Sequence, residues 1–295
     1  MVKIDNLKTE NRNPKTENLD SLTTGEILTI MNEEDQNVLK TIKEAIPNIE
    51  SLINETIKAY NNGGRIVYIG AGTSGRLGLM DAVEVVPTFN SDRFVGLIAG
   101  GDNAFVKAVE GAEDSKELCV NDLKRINLCS NDFLIGIAAS GRTPYVIGGI
   151  EYAKSIGVKT GCVVCNKQSE IGKIVDYPIE VDAGSEILTG STRLKSGTCQ
   201  KIICNMISTA TMVKIGKVYK NLMIDVKATN LKLEARARKI VMEATGCDYD
   251  IADKVLNEVD NNCKLATVMI ITGCSKQEAI ERLETSKGLV RPALS

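Results

Sequence analysis

From residue 65 to about residue 181, short apolar runs recur between glycine-rich turns and amphipathic stretches of ten or more residues. Ile66-Val67-Tyr68-Ile69, Phe94-Val95-Gly96-Leu97-Ile98, Phe133-Leu134-Ile135-Gly136-Ile137, Gly161-Cys162-Val163-Val164 and Tyr177-Pro178-Ile179-Glu180-Val181 are β-rich. Such runs alternating with helical segments predict an α/β fold, a parallel sheet covered by helices on both faces. The amphipathic stretch from about Ser191 to Gly216 predicts the helix that closes this domain. Upstream, Thr23 and Glu26 have the spacing of a capping box, and Ile27, Leu28 and Met31 give a short helix its apolar stripe. Leu39, Ile42, Ile46, Ile49, Leu52, Ile53 and Ile57 then repeat at helical spacing, with Pro47 predicting a kink or a new first turn. That helix should stop at Asn61-Asn62-Gly63-Gly64.

The two ends of the chain read differently. Residues 3–20 are polar, contain Asn13-Pro14 and show no apolar period, which predicts an arm that orders only against another surface. After Asp225 no strand pattern returns. Thr245-Gly246-Cys247, Ala252 and Leu256 recur 27 residues later as Thr272-Gly273-Cys274, Ala279 and Leu283, predicting a small helical bundle with a duplicated helix-turn unit. The expected domains are therefore an N-terminal arm and helices over 1–54, the sheet domain over 55–218 and a C-terminal helical domain over 219–295.

Composition narrows the chemistry. The 295 residues can bury a core without disulfides or metals. A net charge of −2, from 36 basic and 38 acidic residues, argues against a nucleic-acid surface or a polybasic membrane anchor. There is no histidine, so acid–base work falls to carboxylates, Lys, Tyr or Cys. Nine scattered cysteines, mostly in apolar surroundings, suit reduced core thiols and a cytoplasmic location. Cys162 and Cys165 should point to opposite faces of a strand, which disfavours a shared metal. The N-terminus has no apolar signal segment, and no apolar stretch approaches the roughly 20 residues of a spanning helix.

In open parallel sheets ligands collect at the carboxyl ends of the strands. The first strand runs into Gly70-Ala71-Gly72-Thr73-Ser74-Gly75-Arg76, where glycines allow close backbone approach, hydroxyls can donate and helix-start amides attract an anion. A dinucleotide is disfavoured, because the second strand ends in Ala99-Gly100-Gly101 where a ribose-binding acid would be needed. The third strand ends in Ser140-Gly141-Arg142-Thr143-Pro144, with Pro144 at a first helical turn. A third segment, Gly190-Ser191-Thr192-Arg193-Leu194-Lys195, opens a helix with hydroxyls and two cations. The plain alternatives are structural strand-to-helix turns and, for the third segment, an ordinary N-cap.

Together these loops resemble the sugar isomerase (SIS) domain, and the chain as a whole resembles the family of N-acetylmuramic acid 6-phosphate etherases. The likeness also rests on Thr9-Glu10-Asn11-Arg12-Asn13-Pro14, Asn32-Glu33-Glu34-Asp35, Asp81-Ala82-Val83-Glu84, the segment Ala108–Ser115, and Asn221-Leu222-Met223-Ile224-Asp225-Val226. It departs at Val85-Val86-Pro87, where the family usually has Cys-Pro-Pro. The resemblance implies a three-layer αβα SIS domain and a lyase of cell-wall amino-sugar recycling that works without metal or organic cofactor. It would cleave the D-lactyl ether by elimination followed by water addition, releasing N-acetylglucosamine 6-phosphate and D-lactate. It carries the general acid onto Glu84 and the base onto Glu113, and the implied assembly is a homodimer.

Read on its own, Glu84 beside Val83, Val85 and Val86 is expected to be desolvated, which would keep it protonated. Glu113 has the alternative of a first-turn acid favoured by a helix dipole. Nine residues separate Gly75 from Glu84, about 13 Å of helix, so either the chain bends the site together or a partner supplies one part. Ser74, Ser140 and Thr143 are the expected phosphate contacts, with Thr73, Gly75, Arg76, Gly141, Arg142, Ser191 and Lys195 around the ligand. Glu186 resembles an active-site glutamate of phosphosugar isomerases and is a third carboxylate, a rival for ring opening. Two other readings remain open: an aldose–ketose phosphosugar isomerase and a non-catalytic phosphosugar sensor.

Overall fold

The computed structural model describes residues 8–107, 109–226 and 231–295. Residues 3–7 of the expected arm and Ala108 of the segment quoted above lie outside them. The chain divides into two compact units, one taking the chain up to Val83 together with Arg93–Ser208, the other Glu84–Asp92 together with Thr209–Ser295. The division falls at other places than residues 54/55 and 218/219, and it keeps the arm with the sheet.

The first unit begins with three short 3-10 turns, Lys8–Glu10, Pro14–Thr16 and Leu19–Ser21. They dock on their own chain. Asn166 Oδ1 accepts from the Lys8 amide at 3.0 Å, the Thr16 hydroxyl donates to the Ile187 carbonyl at 2.8 Å, and Asn13 Nδ2 donates to the Ser185 carbonyl at 3.2 Å. Helix α1 (Thr24–Asn61) follows, its start closed by the expected Thr23–Glu26 capping box. Two helices were expected here and one is found, with Pro47 inside it. Val38, Ile42, Ala45, Ile49, Leu52 and Ile53 bury one continuous stripe across the proline. That tertiary burial outweighs the lost hydrogen bond.

The sheet contains β1 (Ile66–Gly70), β2 (Phe94–Ile98), β3 (Phe133–Ala138), β4 (Lys159–Val164) and β5 (Tyr177–Glu180), all parallel, in the order β2-β1-β3-β4-β5. All five expected strands are present. Pro178, which cannot donate to a ladder, sits on the edge strand β5, where a missing N–H costs little. The crossovers supply α2 (Gly72–Phe89), α3 (Asn103–Val106), α4 (Lys116–Arg125), α5 (Pro144–Ser155) and α6 (Glu170–Ile174), and α7 (Lys195–Lys214) follows β5.

One sheet face packs Val67, Ile69, Leu134, Cys162 and Val164 against Cys119 and Leu123 of α4 and Tyr145, Val146 and Ile150 of α5. The opposite face meets α1 and α2. A Cβ built on Gly161 would strike Leu52 at 2.5 Å, and one on Gly78 would strike Ile137 at 2.8 Å. The result is the expected three-layer αβα arrangement.

The second unit holds a short antiparallel hairpin, β6 (Val218–Tyr219) with β7 (Leu222–Met223), and then α8 (Leu231–Thr245), α9 (Tyr249–Glu258), α10 (Cys263–Thr272), α11 (Lys276–Thr285) and α12 (Val290–Ala293). The 27-residue echo is a real duplication. Thr245 and Thr272 both donate to the carbonyl four residues back at 2.8 Å and accept from the Cys247 and Cys274 amides. Gly246 and Gly273 both take left-handed φ, and Ala252, Ala279, Leu256 and Leu283 are buried in the shared core.

Candidate active site

Helix α2 starts at Gly72, so the glycine-rich segment after β1 is itself the first helical turn. Gly72 has φ +53, and a Cβ on Gly75 would stand 2.7 Å from the Gly70 carbonyl oxygen, so only glycine closes this turn. The consequence is a helix N-terminus set directly against the end of β1, with free amides where a bound anion is favoured. Thr73 is half-buried. Ser74 is buried and donates to Gln200 Oε1 at 2.8 Å. Arg76 donates through Nε to the Phe105 carbonyl at 3.0 Å.

Glu113 lies on a 3-10 turn, Ala112–Asp114, entered through Gly111 at φ +74 and followed by Ser115, the side-chain N-cap of α4. It is exposed, and it lines a cavity of about 210 Å³ with Gly72, Arg76, Ala99, Val109 and Glu110. Two carboxylates, the first residue of α2 and an arginine thus share one concavity. This brings together what the sequence holds about 40 residues apart.

The β3 turn forms a second concavity. Ser140 and Arg142 line a cavity of about 420 Å³ with Asn166, Lys167, Ser169 and Lys173. Gly141 has φ +72, and a Cβ there would come within 2.4 Å of Ser169 Cβ. Thr143 is the N-cap of α5, Pro144 is its first residue as expected, and the Thr143 hydroxyl makes no cap bond. Arg142, Lys167 and Lys173 outnumber Glu170 on this wall, while Lys8 and Asp182 pair with each other, and that balance suits an anionic ligand.

The third segment differs from expectation. Glu186 is fully buried, and its two carboxylate oxygens accept the Lys195 and Ser196 amides at 3.0 and 2.9 Å. It serves as the anion at the start of α7, the position a helix dipole favours. Lys195 is 2 % exposed and pairs with Glu34 at 2.7 Å. Glu34 also accepts from Lys15 Nζ at 2.8 Å and Asn13 Nδ2 at 3.0 Å. Burial alone would raise its pKa, but these donors hold its carboxyl down at about 2. Ser191 is half-buried, and Arg193 is exposed.

Glu84 does not line the Glu113 cavity. It lies on α2 ten residues beyond Ser74, about 15 Å along the axis, and falls in the second unit. The expected desolvation is not met within one chain. Glu84 is exposed, as are Val83 and Val86, while Ala82 and Val85 turn inward.

Sequence reasoning missed Gln200, Asn166 and the Glu34–Lys195 pair as parts of this region. Asn166 follows β4 directly, so the strand-end rule could have found it. It missed Asp81 as well. Asp81 accepts from Asn205 at 2.7 Å, Ser208 at 3.1 Å and the buried Tyr68 hydroxyl at 3.2 Å, and its burial raises its pKa despite those donors.

Residues 48–154 match the family described as the glucokinase regulatory protein N-terminal SIS domain. Over 293 residues, 99% of each chain, the sequence is 55% identical to an N-acetylmuramic acid 6-phosphate etherase from Geobacillus sp.. It is 57% identical over 290 residues, 98% of each chain, to a protein of the same name from Listeria monocytogenes serotype 4b. A solved phosphoheptose isomerase from Francisella tularensis is similar at 17% identity and a TM-score of 0.48, covering 64% of this chain and all of that one.

Proposed function

The chain belongs to the family of N-acetylmuramic acid 6-phosphate etherases, and from that premise we propose that it releases D-lactate from N-acetylmuramic acid 6-phosphate. The place assigned to this reaction is the recycling of cell-wall amino sugar in the cytoplasm. The observation that carries the reading is the cavity in which Glu113 meets the first residue of α2 and Arg76. Ser74, Ser140 and Thr143 are assigned to the phosphate, with Thr73, Gly75, Gly141, Arg142 and Ser191 around them.

An ether oxygen is a poor leaving group, and elimination avoids attacking its carbon directly. Once the ring opens to the aldehyde, the proton on the second carbon is acidic. Glu113 takes it, the electron pair forms the double bond to the third carbon, and the bond from that carbon to the lactyl oxygen breaks. Glu84 protonates the departing oxygen, giving lactate. The same pair then acts in reverse, Glu84 taking a proton from water as its oxygen joins the third carbon and Glu113 returning a proton to the second. Each acid–base step is worth roughly 10²–10⁴-fold.

The assembly assigned is a homodimer in which each site takes Glu113 from one copy and Glu84 from the other. Met80, Val83 and Val86 form an exposed apolar stripe on α2 beside Glu84, which supports burial against a second copy. Covering it would remove water from around an acid that has to hold its proton until transfer.

Incubating the protein with N-acetylmuramic acid 6-phosphate and measuring lactate tests the reaction, and no lactate with phosphosugar binding intact would leave a sensor. In ¹⁸O-labelled water the label should appear on the third carbon of the sugar, whereas label in lactate would mean substitution at the lactyl carbon. Mixing Glu84→Gln and Glu113→Gln chains tests the shared site. With two-fold symmetry, half of the dimers would be mixed and each would keep one intact site, so about a quarter of full activity returns. No recovery would place both glutamates in one chain.

A further inference from the structure

Ser74 is committed to a partner that is itself incomplete. Its hydroxyl donates to Gln200 Oε1 at 2.8 Å. Gln200 is 1 % exposed, and its amide nitrogen finds no acceptor among the described residues. A buried amide donor left without an acceptor is a costly arrangement that native folds rarely keep without a purpose. Gln200 lies one turn beyond Gly197 on α7, on the same side of the helix. There α7 lies against the phosphate-type turn of β1, with a Cβ built on Gly197 standing 3.5 Å from Thr73 Cγ2.

A half-turn of the Gln200 amide exchanges its ends. The nitrogen then donates one of its two N–H groups to Ser74 Oγ, and the Ser74 proton is released to point out of the turn. The carbonyl oxygen gives up its donor, a smaller loss than a buried N–H without an acceptor. An anion at the amide end of α2 would favour this second state, because it accepts the released proton.

We propose that Gln200 is a positioning residue for the phosphate of the substrate, turning its amide to hold Ser74 Oγ and present the Ser74 proton to the anion. This rests on the phosphosugar reading above. Gln200 touches no reacting atom. Its whole effect on the ligand passes through Ser74.

The test is a double-mutant cycle read by calorimetric titration with N-acetylglucosamine 6-phosphate. Gln200→Met should weaken binding by about 3–10-fold, the range of one lost hydrogen bond. Gln200→Glu, nearly isosteric but able only to accept when ionised, should weaken it further by holding the Ser74 proton and repelling the anion. In a Ser74→Ala chain, Gln200→Met should change affinity by less than about twofold, and Gln200→Glu should keep only the part of its loss that comes from charge repulsion.

In lactate release, KM should rise with kcat nearly unchanged. Should Gln200→Met fail to fold, Gln200→Glu carries the same cycle. An unchanged affinity in the single variants overturns the proposal, and so does a Gln200 effect that persists in full without the Ser74 hydroxyl, since that is what a packing role would give. If the unsubstituted chain releases no lactate yet binds the phosphosugar, the etherase reading fails while the cycle still decides Gln200. If it binds no phosphosugar, both fall.

Discussion

The buried pair between Glu34 and Lys195 makes the stability of the first unit depend on acid pH. Glu34 is 5 % exposed and Lys195 2 %, and the carboxylate takes three donors from Lys195, Lys15 and Asn13. Those donors outweigh burial and lower its pKa from 4.5 to about 2. A proton therefore binds the unfolded chain more readily than the folded one. The stabilisation is complete above the unfolded value near 4.5 and is lost as pH falls toward about 2. At about 1.4 kcal/mol per pH unit, that gap amounts to about 3 kcal/mol at neutral pH.

Glu34→Gln removes the charge and leaves Lys195 buried without its counter-ion, a change that costs about 3–5 kcal/mol in comparable buried pairs. Urea unfolding at pH 7 should show a loss of that size. Repeated at pH 3, it should show a smaller difference between the two chains, because glutamine does not titrate. Replacing both partners, Glu34→Leu with Lys195→Met, should cost less than either single change. A loss below about 1 kcal/mol at pH 7, or a difference that does not shrink in acid, would refute this account of the pair.

Other outcomes follow from the same geometry. Glu113→Gln should abolish exchange of the second-carbon proton of the product in D2O, followed by proton NMR, while phosphosugar affinity stays within about threefold; continued exchange would remove Glu113 as the base. Cys129 is the one exposed cysteine of nine, Cys247 and Cys274 are half-buried, and burial pushes the Cys162 and Cys199 thiols up to about 12, so an aromatic disulfide reagent should titrate Cys129 fastest, Cys247 and Cys274 more slowly, and the six buried thiols only on unfolding. Two or more rapid buried thiols would contradict the packing. In the helical unit, Thr245→Val and Thr272→Val remove equivalent hydrogen bonds, so each should cost about 0.5–1.5 kcal/mol by urea unfolding. Unequal losses would show that the duplicated turns are not energetically alike.

The sheet was legible because parallel strands buried on both faces write themselves as continuous apolar runs, and Ile66–Ile69 and Phe133–Ile137 do so. The start of α2 was not. Three glycines in six residues, Gly70 to Gly75, read as loop, yet Gly72 and Gly75 belong to the helix, and the close approach of Gly75 to the Gly70 carbonyl leaves no room there for a Cβ. Pro47 misled in the opposite direction, since a local rule about proline carries no knowledge of the stripe that α1 buries on either side of it. Local rules failed where tertiary contacts supplied the deciding energy.

The same division explains the site. Its hydroxyls and glycines are local features that the sequence displays directly. The contacts that tune them join distant residues: Ser74 to Gln200 across 126 positions, and Glu34 to Lys195 across 161. Glu186 shows what such distant contacts do to a carboxylate: the chain brings it to the first amides of α7, where two N–H donors and the helix dipole engage its charge. A carboxylate already engaged by a helix start is poorly suited to move protons, whereas Glu113, exposed at the rim of the β1 cavity, keeps its oxygens available to a ligand. Exposure and engagement, which only the fold reveals, therefore rank the carboxylates that the sequence could only enumerate.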